Sequence, residues 1–174
     1  VYTVTGTNAG GCTDVKTSTV TVNITPTVTV NSASICSGNN AMLTASGAAS
    51  YSWNTGATTN TINPAPAVTT VYTVTGTNAG GCTDVKTSTV TVNTTPTVVI
   101  SNSVQTMCSG TTVNINASGA STYSWNTGAT TSVIAVSPAV TATYTVTGNN
   151  GVCASAPQTA TVNVNITPTV TVNS

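Results

Sequence analysis

Charge is almost missing from this chain. Its 174 residues include two acidic and two basic side chains and no Arg, Glu, His or Phe. Charged residues make up 2% of the chain, against about 25% in ordinary globular proteins. Without histidine, nucleophilic triads in their ordinary form are excluded. No Cys-x-x-Cys spacing occurs, so zinc and thioredoxin-type chemistry have no footing. General acid–base work near neutral pH draws on His, Glu or a perturbed Asp or Lys. The chain offers only Asp14, Lys16, Asp84 and Lys86, two copies of one Asp-x-Lys at i and i+2 on one strand face. They read as solvated surface pairs. The third copy of that strand, at 154–158, is Ala-Ser-Ala-Pro-Gln, so the fold does without the pair.

The same shortage excludes other functions. Calcium takes about six to eight oxygen ligands, several of them carboxylates, and nucleic acid needs a basic face. A Lys–Asn isopeptide bond needs a buried Lys beside a carboxylate, and 95–166 holds no Lys. No signal peptide or membrane span is visible, although an internal excerpt would show neither. The expectation is a segment with no catalytic residue, cofactor or metal, no nucleic-acid partner and no membrane span.

What is there is threonine, about a quarter of the residues, with valine and isoleucine in regular alternation. β-Branched residues favour strands and resist long helices. The chain is also repetitive. Residues 1–23 recur unchanged at 71–93, and Thr-Pro-Thr-Val occurs at 25–28, 95–98 and 167–170. Between these markers lie Cys-Ser-Gly (36–38, 108–110), Tyr-Ser-Trp-Asn-Thr-Gly-Ala-Thr-Thr (51–59, 123–131) and Tyr-Thr-Val-Thr-Gly (72–76, 144–148). Repeats of this kind set the architecture. They predict two whole domains, 25–94 and 95–166. The C-terminal part of a truncated repeat precedes them at 1–24, and the first strand of a following one comes after at 167–174.

Each whole repeat has two cysteines in step, which predicts one bridge per repeat, Cys36–Cys82 and Cys108–Cys153. Cys12 stands where Cys82 and Cys153 stand, so its partner is assigned to a missing front half. Paired cysteines in small domains point to an oxidising, extracellular compartment, at the cell surface or secreted.

Strands follow from the period of two. Thr27-Val-Thr-Val-Asn31 puts Val28 and Val30 on one face, Leu43 sits between small or polar neighbours, and Tyr72 alternates with Val74 and Val90 with Val92. Ser37-Gly-Asn-Asn, Ser46-Gly, Asn54-Thr-Gly and Asn78-Ala-Gly-Gly are turn signals. About six or seven strands in some 70 residues predict an all-β fold of tandem antiparallel immunoglobulin-like β-sandwiches joined end to end.

These motifs in this order, with Leu-Thr-Ala-Ser-Gly at 43–47 and the late Gly-Cys, resemble bacterial immunoglobulin-like, PKD-like tandem repeats. Such repeats build large secreted and surface proteins of gliding Gram-negative bacteria, including adhesins and type IX-exported proteins. The resemblance covers the whole chain and implies a sandwich with an extracellular address. It carries over no catalytic residue. Where PKD domains often have an acidic Trp-Asp-Phe-Gly-like stretch, this chain has Trp-Asn-Thr-Gly, which argues against calcium.

Tyr51 with Trp53, and Tyr123 with Trp125, lie on one face of a strand leading into a turn. The core reading packs these tryptophans on the bridges, with Leu43 and Val113 beside them. The competing reading exposes them as a sugar platform. Outward threonines such as Thr19, Thr21, Thr27 and Thr29 fit an exposed strand. Units of 70 residues break the long ranks an ice-binding face needs.

The remaining function is mechanical. The links Asn23-Ile-Thr-Pro26, Asn93-Thr-Thr-Pro96 and Asn165-Ile-Thr-Pro168 are short, lack Gly and Ser, and are stiffened by proline. The expected role is a structural segment of an extracellular filament or adhesin stalk, a semi-rigid non-catalytic rod. Its partners would be neighbouring repeats and copies of itself in fibres, with any cell-surface or polysaccharide ligand met by domains outside the segment. The alternative is a carbohydrate-contacting or spacer module of a secreted polysaccharide-active protein.

Overall fold

The computed structural model describes residues 1–166, Pro168 and Val170. The strand expected at 167–174 lies, those two residues apart, outside the described residues. Every helix or strand among them is a strand. A hairpin comes first, β1 (Tyr2–Thr7) and β2 (Thr13–Ser18). Seven strands follow: β3 (Thr29–Val30), β4 (Ala33–Cys36), β5 (Leu43–Ser46), β6 (Ser50–Trp53), β7 (Thr61–Ile62), β8 (Thr70–Thr77) and β9 (Thr83–Asn93). Seven more repeat that series: β10 (Val99–Ile100), β11 (Val104–Cys108), β12 (Val113–Ser118), β13 (Thr122–Trp125), β14 (Val133–Val136), β15 (Ala142–Asn149) and β16 (Gln158–Asn165).

Both series form the same two sheets. One has the order β3-β5-β7, or β10-β12-β14; the other has β4-β9-β8-β6, or β11-β16-β15-β13. First, third and fifth strands make one layer, and second, seventh, sixth and fourth make the other. This is the strand order of an immunoglobulin-like sandwich. The chain is all-β, built of tandem sandwiches. The β11–β16 pairing departs from the antiparallel expectation: β11 runs parallel to β16, from Val104 opposite Thr161 to Cys108 opposite Asn165. The cause is a break at 101–103, where the chain leaves the first sheet and joins the far edge of the second.

Compactness divides the chain differently from its repeats. One unit gathers Val1–Ala33, Met42–Pro64 and Val71–Thr89; the other gathers Ser34–Ala41, Ala65–Thr70 and the chain from Val90 onward. In the second unit, Val98, Ile115, Ala117 and Ile134 from one sheet meet Met107, Trp125, Val146, Ala160 and Val162 from the other. The corresponding Val28, Leu43, Ala45, Trp53, Ile62 and Val74 are buried too. Ile115 therefore takes the place of Leu43. Val113, expected there, is only partly buried against the cluster; counted back from the Ser-Gly turns at 46–47 and 118–119 it matches Ala41, two residues before the core position.

Glycine is required where the turn after β5 or β12 closes. Gly47 and Gly119 have φ of 91° and 93°, and a Cβ on either would strike the carbonyl of Thr27 or Thr97. Outward threonines pair across strands, as Thr29 Oγ1 does with Ser46 Oγ at 2.7 Å, the ordinary use of such side chains on a sheet face.

The Asp-x-Lys pairs have different surroundings. Asp14 and Lys16 are exposed at 3.5 Å. Asp84 and Lys86 lie 3.4 Å apart, but Asp84 Oδ2 also accepts the amide of Val28 at 2.9 Å. This second pair is a clip, which corrects the reading of it as merely solvated. The Val28 hydrogen bond, opposed by partial desolvation and aided by Lys86, holds the Asp84 carboxyl below its ordinary range. A depressed carboxylate stabilises the fold above its unfolded pKa of about 3.9, and the contribution is lost as pH falls through the folded value. Urea unfolding between about pH 5 and 2 should show this loss, and Asp84→Asn should flatten it. An unchanged slope in the variant would remove Asp84 from the account.

Candidate functional site

The site begins with a loop that each repeat builds around an asparagine. Asn78 Oδ1 accepts the amides of Gly80 and Cys82, both at 3.0 Å, while its own amide donates to the Cys82 carbonyl at 3.0 Å. An Asn side chain mimicking a backbone turn explains why Asn stands there. Asn8 does the same for Gly10 and Cys12, and Asn150 for Val152 and Cys153. The cysteine is thus held on a rigid loop in all three copies.

That loop closes on the link preceding its own repeat. Asn78 Nδ2 donates to the Ile24 carbonyl, and Asn150 Nδ2 donates to the Thr94 carbonyl at 2.6 Å. Cys82 Sγ lies 3.7 Å from the Asn23 carbonyl; Cys153 Sγ lies 3.9 Å from that of Asn93. Asn23 returns a hydrogen bond from Nδ2 to the Gly80 carbonyl at 3.1 Å. A link's backbone polar groups are thereby satisfied by side chains rather than left to water.

The bridge is where the structure parts from the sequence. Cys36 is bonded to Cys153, with Cα atoms 5.8 Å apart, while Cys12, Cys82 and Cys108 are free. The pairs Cys36–Cys82 and Cys108–Cys153 do not form. Cys36 ends β4, whose neighbour is β9. There Asn93 anchors it: Asn93 Nδ2 donates to Ser34 Oγ and to the Ile35 carbonyl, at 2.8 and 3.1 Å. The Cys153 loop sits on the same Asn93. Asn93 therefore gathers both thiols, one from each sequence repeat and both from one compact unit.

The tryptophans are elsewhere. Trp53 and Trp125 are each 3% exposed, and their Nε1 atoms donate to the Thr59 and Thr131 carbonyls at 2.8 and 2.9 Å. Tyr51 and Tyr123 are half-buried, their hydroxyls donating to the Ala48 and Ala120 carbonyls, each at 3.1 Å. The core around Trp125 contains no cysteine among the described residues. Packing of Trp on a disulfide is thus corrected: the cysteines stand at a strand end and in a loop, not on facing inward positions of two sheets.

The Asn-capped loop and its grip on the link were missed from the sequence. The signal was present as an Asn three or four residues before each late cysteine, at 8, 78 and 150. Among the described residues no three His, Cys, Asp or Glu side chains come together as metal ligands would.

No family model matches the chain, and no curated protein does. Solved structures do resemble it. Fibronectin(III)-like modules of Clostridium thermocellum CbhA share 13% identity over 80% of this chain and 95% of theirs, with a TM-score of 0.41. A three-immunoglobulin-domain segment of titin shares 13% over 83% of this chain and 67% of its own, at 0.43. A Ca2+-stabilized adhesin with which an Antarctic bacterium binds ice shares 19%, over 96% of this chain and 57% of its own, at 0.45. The fold assignment rests on strand order, not on these likenesses.

Proposed function

We propose that the chain is a structural, non-catalytic segment of an extracellular array, a filament or adhesin stalk whose repeats are held stiffly to one another. The observation that carries this reading is the grip of the cysteine loop on the link, made twice with the same atoms: Asn78 to Ile24 and Asn150 to Thr94. A link so held, proline-stiffened and without Gly or Ser, has little freedom to hinge. A bridge between residues 36 and 153 fits an oxidising compartment. The carbohydrate-contacting alternative needs open indole faces, and both tryptophans are buried.

Self-association would run through strand edges that carry almost no charged guards. At about 3.3 Å per strand residue, a sandwich with its end loops would advance an array by roughly 35–45 Å. Electron micrographs of native material should show thin beaded fibres with that spacing. Their assembly should be indifferent to salt up to physiological strength, because only two acidic and two basic side chains are available to be screened. Freely hinged single molecules, or fibres that dissolve when salt is raised modestly, would overturn the reading.

A further inference from the structure

We propose that each Cys-Ser-Gly cysteine of this array is bonded to the late cysteine of the next repeat, so that Cys82 and Cys108 are half-bridges awaiting further repeats. The bond between Cys36 and Cys153 is the one instance for which this chain contains both halves. The other halves are built alike. Cys108 ends β11 opposite Asn165, and the Ser109 amide donates to the Asn165 carbonyl at 2.9 Å. The Ser37 amide donates to the Asn93 carbonyl beside Cys36, also at 2.9 Å. Cys82 lies against the Asn23 carbonyl as Cys153 lies against that of Asn93.

The identity of the free thiols supports the same offset. One bridge per repeat leaves Cys12 alone unpaired. A bridge stepped forward by one repeat leaves two late cysteines and one early cysteine, and the free set is Cys12, Cys82 and Cys108. Cys108 is exposed and Cys82 half-exposed, so both are open to a partner. That partner is a further copy of this repeat, either continuous with the chain or in a second molecule, since both offer the same thiol on the same Asn-capped loop.

Closure needs an oxidant, which a glutathione disulfide provides by exchange. The Cys108 thiolate attacks it, and one glutathione leaves as the thiolate. The incoming late cysteine then attacks the Cys108 sulfur of the mixed disulfide, and the second glutathione leaves. Two protein thiols and one glutathione disulfide become one protein disulfide and two glutathione thiols.

The test uses two chains in a glutathione redox buffer, mapped as non-reduced peptides. One is the 174-residue chain; the other is the same chain lengthened after its last residue by a copy of 33–94. In the longer chain Cys108 should be joined to the copy of Cys82, and Cys108→Ser should leave that copy fully open to alkylation. In the shorter chain, Cys108 joined to Cys82 or Cys12 of another molecule would show that a second copy can supply the partner. Cys108 carrying only glutathione there would assign the role to the continuous repeat. Cys36–Cys82 or Cys108–Cys153 in either chain, or a Cys108 left free in the longer one, would overturn the proposal. The structural-array reading is tested separately by fibre morphology and survives that failure.

Discussion

Replacing Trp125 with alanine is expected to lower the stability of the chain by about 3–5 kcal/mol, the usual cost of deleting a large core aromatic. The indole is 3% exposed and shares its cluster with Ile115, Val146 and Val162, which are fully covered. Removing it takes away the transfer free energy of its surface and leaves a cavity that β-sheet neighbours cannot collapse into. It also leaves the Thr131 carbonyl without the Nε1 donor now at 2.9 Å. Trp53 holds the same place with the Thr59 carbonyl, so Trp53→Ala should cost a similar amount. Urea titration followed by circular dichroism measures both. A loss under about 1 kcal/mol would put the indole at the surface and reopen the sugar-platform reading, because surface substitutions stay within roughly half a kcal/mol.

The chain contains its own control for what local sequence can decide. Residues 1–23 and 71–93 are identical, yet Tyr2 is 70% exposed and Tyr72 7%, while Val4 is 66% exposed and Val74 0%. Residues 83–93 form one strand, β9, whereas their twins form strand only over Thr13–Ser18. Alternation marks which face is apolar; it does not say whether anything covers that face. The second half of β9 has β4 beside it, and among the described residues the hairpin β1–β2 pairs with no other strand. An isolated two-stranded sheet is marginal in water, so burial and strand length here come from the rest of the repeat.

Class and strand number were legible for this reason: they depend on period and turns, and Gly47, Gly56 and Asn54 announce the turns directly. The parallel β11–β16 pairing was not legible. It depends on where a chain crosses between sheets, and 101–103 carries only generic turn residues. The bridge was illegible for a deeper cause. In a periodic sequence, pairing a cysteine within its repeat and pairing it with the next repeat use the same two positions. Both schemes match the spacing equally well, and only the three-dimensional position of Asn93 separates them.

Removing the bridge distinguishes those schemes with a large effect. Cys36→Ser with Cys153→Ser opens a loop of sequence separation 117. In the chain-entropy account, a loop of about 100 residues corresponds to roughly 4.7 kcal/mol, so the double variant should lose about 4–5 kcal/mol. Both cysteines are replaced together so that neither leaves a thiol free to form a new pair. The matched control is Cys82→Ser with Cys108→Ser. Those thiols are free in the single chain, and their loss should change stability by no more than roughly 0.5 kcal/mol. Equilibrium unfolding in urea without reductant gives both numbers. A reducing agent should lower the wild type to the level of the first variant and leave that variant where it was. If the control pair cost as much as the first, the bridges would run within repeats, where each double variant breaks both of them, and the offset ladder would be wrong. If both pairs cost little, the Cys36–Cys153 bond would not constrain the unfolded chain, and the grip of Asn150 on Thr94 would have to hold the link alone.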